Sequence, residues 1–378
     1  MRLYILLVFD SFVLQPLRCL FGAVLRCCWW PPKVFTVPPA RYTQDELINI
    51  AYTRIASLDR NVYGQGGDSA KFLGMLAAAT DGERDWQNVM RLVKSDGTIK
   101  RNLQEQYPDD SVPFSGDMLA GFLSAVVMHL PRLTHEERAL LGKLWQRTTW
   151  EGFPLLFANA TTGKKSIFGR GHVWRPWWLL GSEEVLTTLA WLYCGWQITG
   201  ESRYKTAYYA FLILQFPGLL FGCPDGQLWI SRVYAIATYN THSKALVFYA
   251  GWLLTGGYVF KAALTKNYNR HAAYNADIAV LAGSAIDAPG WQKIAHNLIS
   301  GAVAKGRYQC PQDTKYLSII WPPEMVMRAG TILPPEYRGG DYVWERNPIK
   351  GSLLDDNDRA RKGLDVIFPA LMLERLSK

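Results

Sequence analysis

The sequence predicts an all-α protein, an (α/α)6 toroid of helix hairpins with long irregular loops and an apolar helical extension at its N-terminus. Three observations carry that reading. From Thr43 almost to the end, apolar residues recur at offsets of three and four, the spacing of one helix face. The helical stretches come in pairs with short links, which makes the partners antiparallel neighbours. No stretch sustains the alternation of a half-buried strand, so strands should be few and short.

The pattern is clearest between Gly171 and Leu214. Ser182 can cap a helix whose first turn holds Glu183 and Glu184, and Val185, Leu189, Leu192 and Trp196 then lie on one face. Gly200 ends it. A second helix begins at once, carries Tyr204, Tyr208, Phe211 and Gln215 on one stripe, and is expected to break at Pro217 and Gly218.

Upstream, Thr43 with Glu46 is a capping box that opens a helix to about Leu58, and Thr134 with Glu137 repeats it for a helix ending near Trp150. The GQGGDS turn at 64–69 leads into a helix bearing Phe72, Leu73, Leu76 and Ala77. A further helix covers Glu83–Val93, and Ser115-Gly116-Asp117 opens the apolar MLAGFLSAVVMHL helix. Downstream, helical spacing covers 231–238, 241–255, 268–283, 290–304 and 362–376, while 306–360 reads as irregular. The total is eleven or twelve helices, enough for a ring of six hairpins. A helical solenoid is the other architecture, but no repeat of fixed length is apparent.

Residues 1–34 form a separate apolar and basic segment, 35–42 a proline-containing linker, and 43–378 the helical domain. Asp10, Pro16 and Arg18 interrupt the first segment before it reaches the ~20 apolar residues that span a bilayer. Asp10 and the want of an A-x-A site also argue against a secretory signal. Arg2, Arg18, Arg26 and Lys33 with Trp29 and Trp30 suit the membrane interface, where Cys27 and Cys28 could be acylated. Packing on the domain or on a partner subunit is the alternative. Membrane or virion association is the corresponding expectation for location.

With 378 residues, 49% of them apolar, the chain can bury a large core. Its net charge of +9 favours anionic partners, but the basic residues are scattered and no nucleic-acid module is present, so nucleic acid is not expected. Six cysteines show neither a CxxC pair nor a histidine at zinc spacing, and neither a disulfide framework nor a metal is indicated. No cofactor is expected: there is no P-loop, Rossmann fingerprint, GxSxG elbow or HExxH helix.

In a ring of hairpins, residues at the starts of the inner helices face the cleft. Asp117 and Asp68 occupy two such starts and are the candidate catalytic carboxylates. Glycoside hydrolysis needs one carboxyl group as acid and another to activate water. Ordinary helix capping explains the same residues. The loop holding His172, Trp174 and Arg175 is a candidate binding wall, since Trp stacks on sugar rings and Arg holds carboxylates. Tyr239 and His242 precede a helix, and His242 could serve as a lyase base or sit as a helix-capping histidine. Asp341, Trp344, Glu345 and Arg346 complete the candidate substrate residues.

Four motifs resemble those of (α/α)6-toroid proteins related to glycoside hydrolases and polysaccharide lyases, bacterial or viral. They are Gly67-Asp68-Ser69, Ser115-Gly116-Asp117-Met118, the loop from His172 to Pro176, and Asp341 to Pro348 followed by Gly363-Leu364-Asp365. The resemblance spans about residues 60–376 and implies a glycan-active enzyme, with an oligo- or polysaccharide, neutral or acidic, as partner. Gly116 stands where Arg is expected and Glu345 where Gln is expected. Those departures motivate a second reading, a non-catalytic membrane-associated or virion structural protein that reuses the toroid. A polysaccharide lyase is the third.

Overall fold

The computed structural model describes residues 10–17, 19–20, 33–34, 39–58, 69–103, 114, 116–151, 182–221, 238–304, 331–332 and 364–377. The described residues are all-α but for an isolated Val93–Ile99 bridge and a two-residue parallel pairing of β1 (Lys33–Val34) with β2 (Thr331–Ile332), in which Lys33 pairs with Thr331. The helices are α1 (Gln44–Ser57), α2 (Ser69–Thr80), α3 (Glu83–Met90), α4 (Gly116–His129), α5 (His135–Gln146), α6 (Ser182–Thr199), α7 (Ser202–Phe221), α8 (Thr238–Thr255), α9 (Tyr258–His271), α10 (Ala276–Ile286), α11 (Trp291–Val303) and α12 (Leu364–Leu376). Two compact units divide the chain. One comprises 1–27, 60–224 and 246–261, the other 28–59, 225–245 and 262–378.

Burial alternates along the chain. The even-numbered helices α2, α4, α6, α8, α10 and α12 are apolar on nearly every side and buried along most or all of their length. The odd-numbered helices α1, α3, α5, α7, α9 and α11 are buried along one stripe and wet along the other. That is the division of labour of a helix hairpin whose first member is enclosed and whose second covers it.

Local chemistry sets the boundaries. Both capping boxes form: the Glu46 backbone N–H donates to Thr43 Oγ1 at 3.3 Å and the Thr43 N–H to Glu46 Oε2 at 2.7 Å. At Thr134 the matching distances are 3.2 and 2.9 Å. Gly200 and Gly256, with φ of +71° and +60°, end α6 and α8 in the left-handed region that glycine enters without strain.

In the first unit, α2 and α4 cross at glycine. A Cβ on Gly121 would lie 2.6 Å from Lys71 Cα, and one on Gly74 would lie 2.7 Å from the Phe122 nitrogen and closer still to the Gly121 carbonyl. Cβ bonds tilt toward a helix N-terminus. Lys71 therefore lies on the N-terminal side of Gly121 and Gly74 on its C-terminal side, so the two helices run in the same direction. Trp145 of α5 joins this core to α6. It stacks on Trp191 with centroids 4.0 Å apart, donates Nε1 to the Trp191 carbonyl at 2.9 Å, and lies beside Phe122 of α4. Trp191 in turn donates to Thr149 Oγ1 at 3.0 Å.

The hairpins close with a recurring contact. Gly195 of α6 receives the ring of Tyr204 from α7, and Gly251 of α8 receives Phe260 from α9. Each glycine opens a G-W-x-x-T-G run, GWQITG and GWLLTG. Thr199 and Thr255 both return their hydroxyls to those glycine carbonyls at 2.7 Å. In the second unit Gly283 of α10 receives Trp291 from the start of α11 in the same way.

Three expectations are corrected. First, α7 does not break at Pro217 but continues to Phe221. A proline inside a helix frees one carbonyl a turn earlier, and here exposed Pro217 lies on the wet side, where water can satisfy it. Second, 268–283 is not one helix: α9 ends at His271, and Asn275 caps α10 by accepting the Ile278 N–H at 3.1 Å. The α9 helix also starts ten residues earlier than that reading placed it, with Phe260, Ala263, Leu264, Asn267 and His271 along its buried stripe. Third, α3 ends at Met90, and Val93 pairs antiparallel with Ile99 around the Asp96-Gly97 turn. The helix expected at 231–238 lies outside the described residues except for Thr238, and 306–360 lies outside them except for β2.

A tyrosine cluster between α6 and α7 makes a prediction. Tyr208 lies 5.0 Å from Tyr193 and 5.1 Å from Tyr209, ring centre to ring centre. Burial, reinforced by the two neighbouring phenols, pushes its hydroxyl up to about 12. A phenol raised in this way adds stability that is complete below its unfolded value near 10 and is lost as the pH climbs toward the folded value. Tyr208→Phe is therefore expected to flatten the alkaline loss of stability, read as unfolding midpoint against pH between neutrality and about pH 12. An unchanged profile would show that Tyr208 does not drive that loss.

Candidate functional site

Ionisable side chains gather in the first turns of the enclosed helices. In the first unit, Asp117 is the second residue of α4 and half-buried, where a carboxylate complements the partial positive charge of the helix N-terminus. One turn further on the same stripe, Gly121 bears on the backbone of Lys71, whose side chain is fully buried. Because α2 and α4 run in the same direction, both start on one side of their crossing. Asp68 itself lies outside the described residues. The loop ahead of α4 is tied to the start of α2 by the Ala70 N–H, which donates to the Arg101 carbonyl at 3.2 Å.

In the second unit two such starts meet directly. His242, in the first turns of α8, holds its Nδ1 2.8 Å from Oδ2 of Asp277, the second residue of α10. Both side chains are almost wholly buried, at 2% and 4% exposure. Asn275 fixes the position of Asp277 by capping α10, and the helix N-terminus favours the charged carboxylate. Beside this cap, the His271 ring nitrogen Nδ1 and the Tyr274 hydroxyl form a hydrogen bond. Asp365, in the first turn of α12, is also buried, and α12 packs against α10.

A carboxylate this close to Nδ1 limits how the imidazole can turn, and Nε2 is enclosed as well. The His242–Asp277 pair is thus a buried histidine–carboxylate contact where two helix starts meet. No protein-family model, curated protein or solved structure matches the chain. The chemistry is accordingly read from the chain's own residues.

Of the residues singled out in the sequence, Asp117 and His242 occupy described helix starts in different units. Tyr239 lies in the first turn of α8, but its side chain is outside the described residues. His172, Trp174, Arg175, Asp341, Trp344, Glu345 and Arg346 are outside them altogether. The structure adds Asp277: the apolar spacing over 268–283 places it inside one helix, whereas it is the second residue of α10. Asn275 was the signal: an Asn two residues ahead of an Asp, followed by an apolar run, is a helix start.

Proposed function

We propose that the chain is a glycan-cleaving enzyme of (α/α)6-toroid form, in which His242, held by Asp277, moves the proton. The observation that carries the chemistry is the buried 2.8 Å contact between Nδ1 of His242 and Asp277. Support for the ring comes from six enclosed helices alternating with six one-sided ones, from the shared direction of α2 and α4, and from the packing of α12 against α1 within the second unit.

An oriented imidazole suits elimination on an acidic polysaccharide, and the net charge of +9 suits an anionic substrate. The base takes the proton from the carbon beside the uronate carboxylate, that electron pair forms a carbon–carbon double bond, and the glycosidic carbon–oxygen bond breaks. The leaving oxygen is protonated in turn. Hydrolysis is the second reading, favoured by the half-buried position of Asp117 at the start of α4, with Asp117 as acid and Asp68 activating water.

A screen of acidic and neutral polysaccharides tests this, with products followed both as new reducing ends and as the ultraviolet absorbance of an unsaturated uronate. His242→Gln is expected to lower the rate at least about 100-fold, the usual contribution of an acid–base group. Asp277→Asn should lower it less and shift the pH profile. Reducing ends without the absorbance, together with loss of activity in Asp117→Asn, would move the assignment to hydrolysis. A folded His242→Gln protein with full activity, or no cleavage of any polysaccharide, would overturn the reading and leave the non-catalytic alternative.

A further inference from the structure

The turn that joins α9 to α10 is closed twice. His271, the last residue of α9, accepts the backbone N–H groups of Tyr274 and Asn275 at its carbonyl, at 3.2 and 3.1 Å. Its ring then meets Tyr274 again: Nδ1 and the Tyr274 hydroxyl are hydrogen-bonded, and the two rings stand edge to face with centroids 5.7 Å apart. Main chain and side chain of His271 thus close on the same residue. Both side chains are buried, His271 completely and Tyr274 to 4% exposure. A turn of this length needs no such pair, since Gly, Asn or Asp close one with local hydrogen bonds. Burying an imidazole and a phenol also carries a desolvation cost.

What this clasp delivers is the start of α10. Asn275 comes next in the chain and caps the helix: its side chain accepts the Ile278 N–H at 3.1 Å and its carbonyl the Ala279 N–H at 3.0 Å. Two residues on, Asp277 holds Oδ2 2.8 Å from Nδ1 of His242 on α8. A continuous set of bonds therefore runs from the His271 ring, through Tyr274 and the Asn275 cap, to the Asp277 carboxylate. Further along, α9 and α10 meet again where a Cβ on Gly283 would lie 2.9 Å from the Tyr268 ring. That second contact keeps α10 docked, while the clasp decides how its first turn is aimed. We propose that His271 and Tyr274 are positioning residues, which aim the first turn of α10 so that Asp277 meets His242. The inference rests on the reading of His242 as the group that moves the proton.

Magnetic resonance of the His242 ring nitrogens in the full chain tests this without a substrate, because their shifts report the carboxylate beside Nδ1. Asp277→Asn gives the change expected when that carboxylate is neutralised. Tyr274→Phe keeps the ring and its packing but removes the hydroxyl, and is expected to move the His242 shifts in the same direction. His271→Asn keeps a hydrogen-bonding atom in the place of Nδ1 and should restore shifts close to those of the native chain, whereas His271→Leu should not. Ser300→Ala removes a hydrogen bond to the Arg41 N–H on α11 and should move nothing. With a polysaccharide that the protein cleaves, Tyr274→Phe should lower kcat at least about tenfold and leave KM nearly unchanged, since a displacement of about 1 Å suffices for such a loss. If Asp277→Asn moves the shifts and Tyr274→Phe does not, the clasp does not aim Asp277, and the inference is overturned while the role of His242 stands. If Asp277→Asn itself leaves them in place, the contact that both readings require is absent and both fall.

Discussion

Trp145→Ala is expected to cost about 4 to 5 kcal/mol, the largest loss from any single truncation in the first unit. Removing a buried Trp side chain costs about 3 to 5 kcal/mol when the site cannot collapse, and three helices hold this site open. The ring stacks on Trp191 of α6, lies beside Phe122 of α4, and spends its N–H on the Trp191 carbonyl. Stacking contributes about 0.5 to 1.5 kcal/mol beyond area. Trp145→Phe keeps the stack and loses the hydrogen bond, so it should cost about 1 to 2 kcal/mol by the usual worth of that bond. Denaturant unfolding of the two variants measures both. Equal losses for Phe and Ala would mean that the N–H, not the ring, holds the helices together.

Gly121→Ala should be nearly as damaging, though it adds only a methyl group. On an exposed helix that change is worth about 1 kcal/mol in favour of alanine. Here the methyl would meet backbone atoms of Lys71, which cannot swing aside as a side-chain tip can. The helices must separate, and overpacking of this kind costs about 3 kcal/mol. Gly74→Ala pushes the same two backbones apart from the other side, so the double variant should cost clearly less than the sum. If Gly121→Ala leaves the unfolding midpoint where it was, the close crossing of α2 and α4 does not exist in solution. The crossing also sets where Asp117 sits, so the variant should impair any reaction that uses that carboxylate.

Helix starts set by neighbouring residues were legible in the sequence. Thr43 with Glu46 and Thr134 with Glu137 declare themselves within four positions, and both boxes form. The Ser182 start and the Gly200 stop were equally local. Features that depend on a distant partner were not. Nothing near Gly121 announces that Lys71, fifty residues earlier, will press against it. Nothing near His242 points to Asp277, thirty-five residues later, until the Asn275 cap is recognised as a break between helices. Pro217 misled for a related reason: its cost depends on whether the carbonyl it frees is wet, and exposure is a property of the fold. Asp117 could be named as a helix-start carboxylate, but its pairing with Asp68 is a question of separation in space that no spacing in the sequence answers.

The glycine that receives an aromatic ring in each of three hairpins also bears on how the chain finds its fold. Gly195 with Tyr204 and Gly251 with Phe260 join positions nine apart, and Gly283 with Trp291 positions eight apart. Closing so short a loop costs little entropy, and contacts this local are those that form early. Each hairpin can thus click shut before its enclosed helix has any neighbour but its own cover. Native-state hydrogen exchange should then show amides losing protection in pairs, α6 with α7, α8 with α9 and α10 with α11, as three cooperative units. The chain would be assembled as a handful of prefabricated clasps, and the slow step left to it is gathering them.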